Sequence, residues 1–191
     1  MKAAFVLFDR MTFLDFIGFY DAVTRLKTLK IQEYFAWRTC AMTQQVTDDR
    51  GLRIEVDSVA EPLQGYDLLF VPGGFGTRAL QHDVQFVQWL QTAGDAQYKV
   101  SVCTGALLLG AAGYLKGLRA TTHPSAYKEL EPYCKTVLQE RVVDEGNIIT
   151  GRGVSTSIDL GLHVVERLAG AEARSRVATQ MDYPYRWTGT A

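Results

Sequence analysis

One stretch constrains this chain more than any other: Tyr98-Lys99-Val100-Ser101-Val102-Cys103-Thr104-Gly105-Ala106-Leu107-Leu108-Leu109-Gly110-Ala111-Ala112-Gly113. A β-branched run meets a cysteine and gives way to small residues, so the stretch reads as a strand, a nucleophile elbow and a helix. Such a corner leaves its residue at the sheet's edge, facing the unpaired amides and positive dipole end of the helix. The helix must also lie close to the sheet, which Gly105, Ala106 and Gly110 to Ala112 permit. A thiol at that corner is expected to ionise more easily than a free one, which makes Cys103 a candidate catalytic or redox-active nucleophile. The alternative is a small buried hydrophobe, the usual state of a free cysteine.

The same strand, glycine loop and helix pattern recurs. Lys2 to Phe8 reads as a buried parallel strand, followed by a helix over Phe13 to Leu26 with Asp15 near its start. Ile31 to Met42 has strand composition, and Val46 to Val59 reads as an edge hairpin turning at Asp48-Asp49-Arg50-Gly51. Asp67 to Val71 is a second buried strand that ends in Pro72-Gly73-Gly74-Phe75-Gly76, with a helix over Asp83 to Ala93. Arg119 to His123 is a short strand ending at the histidine, and Arg141–Asp144 with Asn147–Thr150 brackets a Glu145-Gly146 hairpin turn. Two helices, Ser155 to Leu168 and Ala171 to Met181, close the pattern.

These elements predict an α/β fold: a flavodoxin-like three-layer sandwich with a mostly parallel sheet, helices on both faces and a nucleophile elbow. Ligands of such sheets bind outside the carboxyl ends of the strands, which gathers Asp15, Gly73-Gly74, Cys103, His123 and Gly151 to Gly153 at one edge. A length of 191 residues with 47% hydrophobic composition fits one domain over the whole chain. The formal net charge of -1 and the scattered Lys and Arg give no nucleic-acid footprint, so a small neutral or mildly polar substrate is the expected partner. The apolar run Ala3 to Phe8 is too short for a signal peptide or a membrane span, which predicts a cytoplasmic protein. Three widely spaced cysteines, Cys40, Cys103 and Cys134, fit reduced thiols, and no CxxC or HxxxH spacing points to a metal or cofactor.

Val71-Pro72-Gly73-Gly74-Phe75-Gly76, Ser101-Val102-Cys103-Thr104-Gly105, Ala120-Thr121-Thr122-His123 and Thr150-Gly151 with Ser157-Ile158-Asp159 together resemble the DJ-1/PfpI superfamily. This superfamily is also called ThiJ/PfpI or class I glutamine amidotransferase-like. The Cys-Thr-Gly elbow, Leu14-Asp15 and the Thr150-to-Asp159 segment look most like isonitrile (isocyanide) hydratases, and similar sequences form the sensor half of AraC-type regulators. Two features depart from the hydratases. Gly151-Arg152-Gly153 stands where they carry three glycines, and Pro124-Ser125 follows the histidine where they carry an aromatic residue. Thr-Thr-His-Pro is instead similar to the DJ-1 branch.

The resemblance implies that Cys103 is the nucleophile, Asp15 its acidic partner, and Thr104 and Gly74 the contributors of pocket-lining amides. Gly73, His123, Arg152, Gly153 and Val154 are then expected around the substrate. The implied reaction is addition of water to an isocyanide through a thioimidate on Cys103, with Asp15 carrying protons. Glyoxalase-like chemistry, a redox or stress-sensing thiol, and a ligand-binding regulatory domain lacking a DNA-binding part are the alternatives. PfpI-type peptidase chemistry fits less well, because those proteases place His directly after the nucleophile and Thr104 stands there. From residue type alone, His123 reads equally as a pocket or a loop residue, His163 as core packing, and Asp159 as ordering a helix start. A homodimer is implied, through a surface near the first helix, where Phe16, Phe19 and Tyr20 exceed what one surface-helix face needs.

Overall fold

A computed structural model of the chain describes residues 1–184; the stretch Asp182-Tyr183-Pro184-Tyr185-Arg186-Trp187 reads from its sequence as an aromatic tail over the pocket, a partner or a sheet edge, and its Tyr185-Arg186-Trp187 lie outside the described residues. The strands are β1 (Lys2–Val6), β2 (Ala36–Ala41), β3 (Gln45–Thr47), β4 (Arg53–Glu55), β5 (Ser58–Val59), β6 (Leu68–Val71), β7 (Tyr98–Val102), β8 (Arg119–Ala120), β9 (Thr136–Val137), β10 (Val142–Asp144) and β11 (Ile148–Gly151). The helices are α1 (Phe13–Thr28), α2 (Thr77–Leu80), α3 (Val84–Gln91), α4 (Gly105–Ala111), α5 (Tyr127–Leu130) and α6 (Thr156–Gln180). Gly170, at φ 87, interrupts the last of these, so the two closing helices meet at a break rather than a loop.

The main sheet has the order β10-β11-β7-β6-β1-β2-β5 and is parallel throughout except for the β10–β11 hairpin. The chain therefore starts in the middle, builds outward through β2 and β5, and returns to the other side of β1 with β6, β7 and β11. That reversal between β1 and β6 is a topological switch point, where loops on either side diverge and leave a crevice. The helices lie on both faces, which gives the flavodoxin-like layering that the alternating pattern predicts. Strands β6 and β7 are buried nearly throughout, which is why their sequences run apolar instead of alternating.

The structure differs from the sequence reading at several places. The Val46–Val59 hairpin is two separate things: β3 and β4 form their own antiparallel pair, while β5 joins the main sheet beside β2. The strand before His123 is only β8, which leaves the main sheet and pairs with β9. Phe16 and Phe19 are core residues. Phe19 stacks on Phe70 with ring centroids 3.9 Å apart, and Phe5 meets Phe16, Phe19 and Tyr20 edge-on. Helix α1 needs this apolar surface because it packs on the sheet with one side and on α6 with another.

Candidate active site

Cys103 ends the β7 turn in the left-handed region, at φ 55, a conformation that costs a non-glycine residue roughly 1–2 kcal/mol. Two hydrogen bonds hold it there: its N–H donates to the Gly151 carbonyl at 3.0 Å, and its carbonyl accepts from Thr122 Oγ1 at 2.8 Å. Strand β11 and the segment after β8 thus clamp the corner from two sides. Gly105 lets α4 start directly against the sheet, since a Cβ there would sit 2.3 Å from the Val71 carbonyl oxygen.

Asp15, in the first turn of α1, is fully buried beside this corner. Its Oδ2 accepts from the Gly73 N–H at 2.9 Å. The Cys103 thiol lies close enough to this carboxyl for each group to weigh on the other's proton, while Oδ1 is buried without a partner in ordinary hydrogen-bond geometry. Gly73 is where the groups converge: a Cβ on it would lie 2.6 Å from the Thr104 nitrogen, 2.7 Å from the Cys103 Cβ and 2.8 Å from Asp15 Oδ2. Only glycine fits.

Burial dominates the proton chemistry. It raises the Asp15 carboxyl from 3.8 to about 7, against the Gly73 N–H, which favours the carboxylate; the more distant Asp49 adds a small upward push. It pushes the Cys103 thiol up to about 12, with the Asp15 charge adding to the rise and the Thr104 amide and hydroxyl opposing it. The expectation that the corner position makes Cys103 an easily ionised thiol is therefore corrected. The thiol is 5% exposed and shares its site with a carboxyl, so its resting form is neutral.

Thr104 and Gly74 form a closed exchange. The Gly74 N–H donates to Thr104 Oγ1 at 2.9 Å, and that hydroxyl lies 3.1 Å from the Gly74 carbonyl. The Gly74 amide expected to stabilise charge in the pocket is thus engaged, and it orients the Thr104 hydroxyl instead. Nor does that hydroxyl cap α4.

A cavity of about 430 Å³ opens over Cys103 and Thr104. Leu14, Phe75 and Val154 supply its apolar walls, and His123 joins from the segment after β8. The His123 Nδ1 accepts from the Ser125 N–H at 3.2 Å and lies 2.8 Å from the Ser125 hydroxyl, which places the ring proton of the neutral form on Nε2. Gly73 lies beneath the cavity floor. Gly153 is near His123, where an added Cβ would make ordinary van der Waals contact with that ring at 3.8 Å, but is outside the lining. Arg152 is also outside it; its guanidinium lies 6.0 Å from the centre of the Tyr127 ring. A cavity of about 520 Å³ along the second half of α6 is larger but lies away from Cys103.

Sequence reasoning did not assign seven lining residues to the pocket: Thr12, Leu14, Asp49, Arg50, Phe75, Arg78 and Ser125. Arg78 had a signal, its position just past a glycine loop at the carboxyl end of a buried strand. Asp49 and Arg50 had none. The β3–β4 hairpin folds back over the start of α1 through main-chain bonds from Arg10 N to the Thr47 carbonyl, 2.7 Å, and from Asp49 N to the Met11 carbonyl, 3.0 Å. His163 is no core residue but bonds Asp144 through Nε2 at 2.7 Å. Asp159 accepts from Arg141 Nε at 2.6 Å and from the Tyr183 hydroxyl at 2.8 Å, a structural cluster away from the thiol. No group of three or more His, Cys, Asp or Glu suited to a metal occurs among the described residues, and none of their helices is long and apolar enough to cross a membrane.

The model of the DJ-1/PfpI family matches residues 1–167. An isonitrile hydratase of Pseudomonas putida is 36% identical over 185 residues, spanning 96% of this chain and 78% of that protein. The HTH-type transcriptional regulator CdhR of Pseudomonas aeruginosa is 31% identical over 86% of this chain, which covers only 50% of that longer protein. Among solved structures, a ThiJ/PfpI family protein from Pseudomonas syringae superposes with a TM-score of 0.87 at 30% identity, covering 100% of this chain and 78% of that one. Drosophila melanogaster DJ-1beta shares the fold at a TM-score of 0.83 and 24% identity, covering 96% of this chain and 98% of that one.

Proposed function

The chain belongs to the DJ-1/PfpI family, and on that premise we propose that it is a cysteine-dependent hydratase, adding water to isocyanides to give N-substituted formamides. The observation that carries this reading is the buried Asp15–Cys103 pair, in which the carboxyl titrates near neutrality against a thiol that stays protonated. Addition across an isocyanide carbon needs a nucleophile and a proton delivered to the same carbon. One S–H with a neighbouring carboxylate supplies both.

In the first half, Cys103 Sγ bonds to the terminal carbon of R–N≡C while Asp15 takes the thiol proton and returns it to that carbon. The product is the thioimidate R–N=CH–S–Cys103. In the second half, water adds to the imidate carbon, Asp15 moves a proton from the water to nitrogen, and the C–S bond breaks. The sulfur recovers a proton from the new hydroxyl group, and R–NH–CHO leaves. Free ionisation of the thiol by Asp15 would cross about 5 pKa steps, or about 7 kcal/mol. Coupling that transfer to C–S bond formation avoids a bare thiolate, and the Thr104 amide and hydroxyl stabilise what negative charge develops on sulfur.

His123 favours a second reading, glyoxalase-like chemistry on a 2-oxoaldehyde, because a ring with its proton on Nε2 lines the same cavity. Assay of formamide from an aryl isocyanide beside lactate from methylglyoxal separates the two. The hydratase reading expects formamide, abolished by Cys103→Ala; turnover that survives this substitution rejects it.

A further inference from the structure

The charged groups of the cavity are unequally matched. Arg50 meets Asp49 at 2.7 Å, and since both line the cavity their charges offset each other within it. Arg78 reaches Glu129 through Nε and Nη2, but at 3.2 Å on both contacts, and both side chains are more than a third exposed, at 35% and 38%. Exposed ion pairs hold together by about 0–1 kcal/mol, and the two parallel bonds place this one at the upper end of that range. Moreover, Arg78 lines the cavity and Glu129 does not. The guanidinium keeps Nη1 without a partner among the described residues, and a planar fork of this kind is suited to a carboxylate.

Its placement is fixed by the backbone. Arg78 follows the Gly73–Gly76 loop, and Thr77, fully buried, ties α2 to that loop by donating Oγ1–H to the Gly74 carbonyl at 2.8 Å. Gly74 in turn exchanges bonds with Thr104, the neighbour of the nucleophile. Arg78 is therefore held in register with Cys103 through a short, buried chain of contacts, although its own head is solvated.

We propose that Arg78 selects substrates whose electrophilic carbon is carried on a short arm ending in a carboxylate. This rests on the hydratase reading only in taking Cys103 as the group that such a substrate must reach. The carboxylate sits on the free edge of the Arg78 guanidinium while the electrophilic carbon meets Sγ at the floor. Leu14, Phe75 and Val154 enclose the arm between them.

Two alkylating agents of equal size and different charge, iodoacetate and iodoacetamide, test the subsite without any turnover. Rates are measured at Cys103 by peptide mass spectrometry at pH 8. Arg78→Gln alone would expose Glu129 as a new anion, so the deciding variant is Arg78→Gln with Glu129→Gln. The iodoacetate-to-iodoacetamide rate ratio is expected to fall about tenfold in this double variant, equivalent to about 1.4 kcal/mol, and to rise in Glu129→Gln alone. Arg78→Lys with Glu129→Gln should keep most of the preference. A double variant with the wild-type ratio overturns the proposal. The activity arm compares isocyanoacetate with isocyanoacetamide. Equal kcat/KM on the two overturns the carboxylate subsite and leaves the hydratase reading standing. Turnover of neither overturns the hydratase reading, and the alkylation ratio still decides the role of Arg78.

Discussion

Replacing Asp15 with Asn separates the energetic cost of this carboxyl from its function. The carboxyl titrates at about 7 in the folded chain against 3.8 when free, so between those values the folded state holds a proton that the unfolded state has lost. Stability therefore falls as pH rises from 4 to 7, the sign expected for a raised carboxyl. At about 1.4 kcal/mol per pKa step, Asp15 costs the fold about 4 kcal/mol at pH 8 and below about 2 kcal/mol at pH 5, as upper limits. Asn keeps a carbonyl oxygen for the Gly73 N–H and carries no charge. Urea denaturation of wild type and Asp15→Asn at both pH values should show the variant more stable at pH 8, with a margin about 2–3 kcal/mol larger there than at pH 5. The comparison cancels the titrating groups that are not coupled to Asp15, leaving Cys103 as its neighbour in contact and Asp49 as a weaker one. Parallel stability profiles for the two proteins would refute the buried, proton-holding carboxyl.

The same variant should make the Cys103 thiol more acidic, because the Asp15 charge and contact both raise it; the pH midpoint of iodoacetamide alkylation at Cys103 is expected to move down from about 12. In wild type, kcat/KM on an isocyanide should rise with pH and level off above about 7, as Asp15 becomes the carboxylate able to take the thiol proton. Cys103→Gly should be more stable than Cys103→Ala by about 1 kcal/mol in thermal melts, since only glycine accepts φ 55 without strain. Gly161→Ala should lower stability by about 1–3 kcal/mol, because its new methyl would meet Ala22 Cβ at 2.7 Å where α1 crosses α6.

Much of the fold is legible in the sequence because each element announces itself by a local rule. Buried parallel strands such as Leu68–Val71 run apolar without alternation, and the glycines after them mark turns at the carboxyl edge. Topology then brings Asp15, Gly73, Cys103 and Thr104 together, and their spacing in the chain reveals the neighbourhood but not the bonds. Arg152 shows the limit: two residues before Val154, it turns over the Tyr127 ring and away from the cavity, a choice made by packing that no local pattern encodes. Asp49 and Arg50 show another. Their place depends on how the β3–β4 hairpin docks on the residues before α1, through main-chain bonds that any side chains could accompany.

The least legible property is the ionisation of the thiol, and magnitudes explain why. A helix N-terminus offers a nearby negative charge about 0.3–1 kcal/mol, and about 2 kcal/mol in favourable partly buried geometry. The rise of Cys103 from 9.0 to about 12 corresponds to about 4 kcal/mol in the other direction, led by loss of solvent around the sulfur. Burial wins over the dipole, and the amide and hydroxyl of Thr104 reduce its effect without reversing it. A corner that is both strained and dry therefore cannot act as a resting thiolate. It needs a neighbour that accepts the proton only as the sulfur bonds to carbon, and the carboxyl buried beside it, poised at about 7, is matched to that task at neutral pH. In the proposed hydratase chemistry, the elbow positions Cys103 as the nucleophile and Asp15 determines when it reacts.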